Sequence, residues 1–161
     1  MKDKILLFIP IYNCAPQIIR VLNQVNDKIE SIFDEIILID NNSNDSTTSD
    51  AIEHIRNLKL KIKIKVLQNF KNISLGGSHK SAFQYALKNK FDYIAIFHGD
   101  DQGRLSDLIV AIETKLYQKL DFFLGSRFLK SSELYGYSKW RIYGNLCFNF
   151  IFSKLLNKKI M

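Results

Sequence analysis

Glycine is missing from the place where a dinucleotide-binding fold needs it. The first strand-like run, Ile5 to Ile9, leads into Pro10-Ile11-Tyr12-Asn13. That turn lacks the small residues that let a pyrophosphate approach the backbone, which argues against a nicotinamide site. Cysteine is scarce. Cys14 and Cys147 show no metal-ligand spacing, so neither is read as a nucleophile and a reducing compartment is expected. No apolar run is long enough for a comfortable bilayer span, since the charge-free stretch 142–153 falls short of it. Met1-Lys2-Asp3-Lys4 enters a short strand without a small-residue cleavage site, so no signal peptide is read and synthesis and residence in the cytoplasm are expected. There is no internal repeat and no low-complexity linker. A length of 161 residues fits one domain with a real core and leaves no room for a second.

What the chain does have is positive charge, a net +7 on a composition that is 47% hydrophobic. Lys59, Lys61, Lys63 and Lys65 alternate with Leu60, Ile62, Ile64 and Val66, the pattern of a strand with one wet face and of an edge that resists further pairing. Lys154, Lys158 and Lys159 add charge near the end. Anionic head groups, phosphorylated substrates and nucleic acid would all be attracted. The aliphatic neighbours of the basic strand, in place of stacking aromatics, argue against nucleic acid.

Apolar periodicity alternates between strand and helix. Ile18, Leu22, Val25, Ile29 and Ile32 form one helical stripe after the first strand, and Glu35 to Ile39 form a second strand. A short helix carries Ala51, Ile52 and Ile55, and the lysine-rich strand ends near Leu67. A loop holding Gly76-Gly77 leads to a helix over 81–90, and a strand from Asp92 reaches the His98 turn. Leu105, Leu108, Ile109, Ile112 and Leu116 predict another helix, and Asp121 to Leu124 a further strand. This order predicts an α/β fold with a mainly parallel sheet flanked by helices.

Ligands in such sheets sit at the carboxyl ends of the strands. Three ends stand out. Ile94-Ala95-Ile96-Phe97 stops at His98-Gly99-Asp100-Asp101-Gln102, where adjacent carboxylates suit a hard divalent ion carrying a phosphorylated ligand. The second strand runs into Asp40-Asn41-Asn42-Ser43-Asn44-Asp45-Ser46-Thr47, rich in groups that can bond bases and ribose; Asp45 or Ser46 is also a natural helix cap. The first strand ends at Pro10 to Asn13.

These segments, with Leu75-Gly76-Gly77, resemble in order and spacing the family 2 glycosyltransferases of the GT-A fold. Gly125-Ser126-Arg127-Phe128, with Arg141 beyond it, is similar to the dolichyl-phosphate mannosyltransferase and polyprenyl-phosphate glycosyltransferase branch. The resemblance implies an inverting transfer of a hexose from a nucleotide sugar, of the GDP-mannose or UDP-glucose type, to a polyprenyl phosphate in cell-envelope glycan synthesis. It places Pro10, Tyr12, Asn13, Asp40, Asn41, Ser43 and Asp45 against the nucleotide, with Gly76 and Gly77 open to phosphate or sugar. It makes Asp100, Asp101 and Gln102 the catalytic turn. His98 stands where the family carries the first acid of its metal motif, so His98 and Asp100 are the expected ligands of Mg²⁺ or Mn²⁺. A histidine leans that choice toward Mn²⁺. Arg127, Arg141 and Asn145 are expected at the acceptor phosphate, for which guanidinium forks are suited.

The last segment has its own pattern. Arg141, Asn145, Asn149 and Ser153 recur every fourth residue, and Ile142, Tyr143, Leu146, Phe148, Phe150, Ile151 and Phe152 cover the remaining circumference. That pattern fits an interfacial helix in peripheral contact with the inner face of the cytoplasmic membrane, or a helix packed against protein. The expected layout is one GT-A domain over 1–161, with a nucleotide-binding half at 1–97 and the metal turn and start of an acceptor region at 98–161. By the same resemblance, relatives continue past the position matching Met161, so a C-terminal truncation is expected, with a minimal version as the alternative. Self-association through the apolar tail, transfer to a hydroxyl of a surface glycan, and a non-catalytic nucleotide-sugar-binding module are the alternatives that the residues leave open.

Overall fold

In the computed structural model, which describes residues 2–125 and 138–158, the chain divides into two compact units, Met1–Thr114 and Lys115–Met161. The first unit runs β1 (Ile5–Ile11), α1 (Ala15–Leu22), α2 (Asp27–Ile32), β2 (Glu35–Asp40), α3 (Thr47–Asn57), β3 (Lys63–Gln68), α4 (Ser74–Lys88), β4 (Tyr93–Ile96) and α5 (Leu105–Glu113). The four strands form one sheet in the order β3-β2-β1-β4, and every pairing is parallel. The expected α/β class with a parallel, helix-flanked sheet is what is found.

β1 and β2 are the centre, and every residue in both is buried. Their near-continuous Ile and Leu content reflects a parallel strand covered on both faces. Phe8 pairs with Ile37 on one side and with Ile96 on the other. Together with Leu6 and Ile39, that row packs against Ala82 and Ala86 of α4, whose small side chains let the helix lie close to the sheet. Each fully buried large apolar side chain contributes about 1.5–3 kcal/mol. α1 packs against α3. Right-handed crossovers require this split, because β1→β2→β3 advances across the sheet in one direction and β3→β4 returns past β1 in the other.

The lysine-rich segment forms the edge strand β3, and its charge is partly internal. Lys63 and Lys65 pair with the buried Glu35 at 3.6 and 3.0 Å, and the Tyr85 hydroxyl donates to Glu35 while accepting from Lys65. Burial pushes the Glu35 carboxyl up, but Tyr85 and the two lysines outweigh it and hold the group below its ordinary value.

Four expectations need correction. The stripe from Ile18 to Ile32 is two helices, because Asn26 breaks it: its side-chain oxygen caps α2 by accepting from the N–H groups of Lys28 and Ile29. The helix expected over 81–90 begins at Ser74, so Gly76-Gly77 lies in its first turns and not in a preceding loop. The helix expected to reach Leu116 ends at Glu113, and Leu116–Lys119 is a separate 3-10 turn. No strand forms at Asp121 to Leu124, where Phe122 and Leu124 are 80% and 82% exposed. An apolar run becomes a strand only when a neighbour takes up its backbone groups, and none does among the described residues.

In the second unit α6 (Lys139–Leu155) has no buried residue. Trp140, Tyr143, Phe150 and Leu155 are exposed, and Phe148 stacks on Phe152 with ring centroids 4.2 Å apart. No helix of the described residues is long and apolar enough to cross a membrane.

Two predictions follow from these packing details. A Cβ at Gly77 would lie 2.6 Å from Ile73 Cγ1 and 2.8 Å from its Cβ, whereas one at Gly76 meets nothing within 4 Å. Gly76→Ala is therefore expected to stabilise by about 0.5–1 kcal/mol through helix propensity, and Gly77→Ala to destabilise by about 1–3 kcal/mol, read from urea midpoints. The lowered Glu35 pKa makes its stabilisation complete above the ordinary value of 4.5 and lost as pH falls through the folded value. Glu35→Gln should flatten the acid limb of the stability–pH curve below that value and leave its slope around neutrality unchanged.

Candidate functional site

The reversal of strand order falls between β1 and β4, and open α/β sheets bind ligands in the crevice outside such a reversal. A cleft of about 290 Å³ lies there, walled by Pro10, Ile11, Tyr12 and Cys14 after β1, Asn41 after β2, Asn72, Ser74, Leu75 and Ser78 around the start of α4, and His98, Gly99 and Asp100 after β4. The sheet ladder continues upward into it. Phe97 N–H donates to Phe8 O at 3.0 Å and Gly99 N–H to Pro10 O at 3.1 Å. Gly99 is a close-approach glycine, since a Cβ there would come within 2.6 Å of Ile11 Cγ2 and 3.0 Å of the Pro10 carbonyl oxygen. Any side chain would push the His98–Asp100 turn off β1.

Asn13, Asn42, Ser74 and Asp101 all adopt left-handed φ values, at 47°, 64°, 62° and 59°. The four stand at the carboxyl end of the sheet, one after each strand. Asn and Asp tolerate this region better than most side chains, and strained positions of this kind cluster at functional sites.

The loop after β2 is held from within. Asp40 is fully buried and accepts from the Ser43 N–H and hydroxyl, the Thr48 hydroxyl and Gln68 Nε2. Asp45 accepts from the Thr47 N–H and hydroxyl and from Ala15 N–H. Burial raises the Asp45 carboxyl, yet these hydrogen bonds prevail and keep it below its ordinary value. Of the two expected caps, Asp45 bonds the helix start, while the Ser46 hydroxyl turns to Asp50 at 2.7 Å. Asn13 joins this loop to the first: its N–H donates to Ser43 Oγ and its Oδ1 accepts from Asn44 N–H, both at 2.9 Å. Thus Asp40, Ser43, Asp45 and Asn13 shape the loops, while Pro10, Tyr12 and Asn41 line the cleft.

Asn41 is buried and organises the opposite wall. Its Oδ1 accepts from Asn69 Nδ2 at 3.1 Å and from Ile73 N–H at 3.0 Å, and its Nδ2 donates to Asn72 Oδ1 at 2.8 Å. Asn69 also donates to Ser78 Oγ at 3.0 Å. Through these bonds the end of β2 fixes the start of α4, whose positive end favours anions. Gly76 and Gly77 are not in the cleft wall, although Ser74, Leu75 and Ser78 on the same turns are. Asn69, Asn72, Ser74 and Ser78 were missed from sequence. The signal was the run Gln68-Asn69-Phe70-Lys71-Asn72, a further strand end of the same kind as the three already singled out.

At the fourth strand end the two carboxylates part. Asp100 faces the cleft with His98, and its Oδ1 accepts from Gln102 N–H at 3.3 Å. Asp101 turns to Arg20, whose Nε donates to Asp101 Oδ2 at 2.5 Å. His98 lies beside His79, with ring centroids 6.3 Å apart, and His79 Nδ1 is 2.7 Å from Leu75 O. No group of three His, Cys, Asp or Glu side chains able to hold a metal occurs among the described residues. Cys14, on the cleft wall, is held by burial above its ordinary value and stays a thiol.

Of the residues expected at an acceptor phosphate, Arg127 lies outside the described residues, as do Ser126 and Phe128. Arg141 is exposed on α6, and Asn145 Nδ2 donates to the Arg141 carbonyl at 2.9 Å, a bond within the helix.

A family model described as glycosyl transferase family 2 matches residues 7–161. No curated protein sequence matches the chain. Among solved structures, the crystal structure of S. aureus TarS is similar with a TM-score of 0.48 at 23% identity, over 69% of this chain and 20% of that one. This chain thus spans about a fifth of the length of that protein. The parallel α/β sheet is consistent with the GT-A fold, and the family match covers nearly the whole sequence: the chain belongs to glycosyl transferase family 2.

Proposed function

We propose that this chain carries the donor site of a metal-dependent, inverting glycosyltransferase that moves a hexose from a nucleotide sugar to a polyprenyl phosphate. The observation that carries the reading is the cleft at the β1/β4 reversal, with Asp100 and His98 on one wall and the start of α4 on the other. Family membership supplies the reaction class.

Within that reading, Pro10, Tyr12 and Asn41 take the nucleoside, against loops stiffened by Asp40, Ser43, Asp45 and Asn13. The diphosphate lies toward the α4 start, where helix N–H groups and dipole stabilise negative charge. His98 and Asp100 would hold a divalent ion, which would supply Lewis-acid stabilisation of the diphosphate's charge. A phosphate acceptor is already anionic at neutral pH, so attack from the opposite side of the anomeric carbon needs no strong protein base. This suits a cleft whose second carboxylate, Asp101, is committed to Arg20. A hydroxyl acceptor would need such a base.

Arg141 is assigned to the acceptor phosphate, a role that the resemblance also gives to Arg127. Peripheral membrane contact through α6 accords with its exposed Trp140, Tyr143 and Phe150 and with Lys154, since aromatic and cationic side chains favour the head-group region. The site of action is then the inner face of the cytoplasmic membrane.

Calorimetric titration with UDP-glucose and with GDP-mannose, in Mn²⁺ and again in EDTA, tests the donor assignment. One donor is expected to bind only with metal, and Asp100→Asn to weaken that binding by about 10- to 100-fold; metal-independent binding, or an inert Asp100→Asn, contradicts the assignment. For the acceptor, Arg141→Ala should raise the KM for a short-chain polyprenyl phosphate by about tenfold or more, as loss of a charge-assisted phosphate contact does, with donor affinity unchanged. Transfer to sugar hydroxyls alone would overturn the lipid-phosphate choice.

A further inference from the structure

The turn that presents Asp100 is anchored from outside the cleft. Its upstream end is tied to β1 by Gly99 N–H on Pro10 O. Its downstream end is tied to the segment that follows α1, where Gln24 Oε1 accepts the Leu105 N–H at 2.8 Å, the first amide of α5. Between these anchors stands Asp101 in the left-handed region, φ 59°, a conformation that costs a non-glycine residue and persists only when its surroundings impose it. Two side chains impose it here. Arg20 Nε donates to Asp101 Oδ2 at 2.5 Å, and Gln24 Nε2 reaches Asp101 Oδ1 at 3.5 Å. Arg20 is itself braced, with Nη1 donating to Pro16 O at 3.0 Å. Gln24 thus bonds both Asp101 and the end of the turn, and Arg20 adds the charge. Asp101 is 22% exposed and Arg20 56%, so this pair adds little to global stability. Its effect is local.

We propose that Arg20 and Gln24 are positioning residues of the donor cleft: through Asp101 and Leu105 they hold the turn so that Asp100 faces the bound phosphates. The functional part of this inference rests on the donor-site reading above. Asp101 then acts by anchoring the turn and does not touch the ligand. Its adjacent carboxylate, Asp100, is left alone at the cleft.

Two measurements on the intact chain separate the clamp from the donor-site reading. Residue-resolved amide exchange of Gln102 and Leu105 reports local opening of the turn. Arg20→Ala and Gln24→Ala should each speed it about tenfold, the equivalent of one charge-assisted bond, with an unchanged urea midpoint; Arg20→Lys, which keeps the cation, should recover part of the protection. Unchanged exchange in both alanine variants overturns the clamp. Binding of UDP and GDP in Mn²⁺ reports the consequence. Arg20→Ala and Asp101→Asn, the latter keeping a side chain tolerant of positive φ, should each weaken the nucleotide that binds by about tenfold, and the double variant no further than either. Losses that multiply in the double variant overturn the coupling through Asp101. If the unmodified chain binds neither nucleotide, the donor-site reading falls, and amide exchange alone decides the clamp.

Discussion

β1 is hydrogen-bonded along both edges, to β2 on one side and to β4 on the other, and the site depends on that double pairing. Because the chain reaches β2 and β3 on one side before it crosses back to β4, the strand order reverses at β1 and the crevice lies at the carboxyl end of that reversal. The last rungs of the ladder, Phe97 on Phe8 and Gly99 on Pro10, carry the two walls of that crevice to a fixed separation. Gly99 has no room for a side chain at this point. The same lack of a Cβ that permits the close approach also sets where Asp100 begins.

Around this axis the polar loops are mutually bonded, so the cleft is held in shape by the protein's own groups. Asp40 gathers its own loop and the end of β3, Asn41 gathers the start of α4, and Asn13 ties the first loop to the second. Arg20 of α1 and Gln24 just beyond it do the same for the last turn. Preorganised donors and dipoles of this kind act at little reorganisation cost when charge develops on a leaving group. The opposite end of the sheet is also polar but is self-contained, with Glu35 satisfied by Tyr85, Lys63 and Lys65. Part of the chain's positive charge is therefore structural.

The strands were legible because a fully buried parallel strand leaves a continuous apolar run, as in Ile36 to Ile39, and their polar ends announced the cleft. Helix limits were less so. Asn26 looks like any polar residue in a stripe until its side chain is seen capping α2, and Gly76-Gly77 reads as a loop unless Ile73 is known to pack on it. Asp121 to Leu124 has the composition of a strand, but pairing is a property of neighbours and not of the segment. Adjacent carboxylates read as one motif in sequence, whereas the left-handed turn at Asp101 sends them to opposite tasks. The asparagines after β3 follow a half-exposed, lysine-bearing edge strand, so no continuous apolar run marks where that strand ends.

The proposed function puts the nucleoside diphosphate at the carboxyl end of this sheet, at the β1/β4 reversal. The most direct test is a residue-resolved NMR titration of the chain with UDP and with GDP in Mg²⁺. The account predicts amide shifts confined to Tyr12, Asn41, Ser74, Leu75, Gly99 and Asp100 and their immediate neighbours, with Glu35, Lys65 and Tyr85 unmoved. Saturable shifts centred on the Glu35 end of the sheet, with Gly99 and Ser74 unaffected, would contradict it.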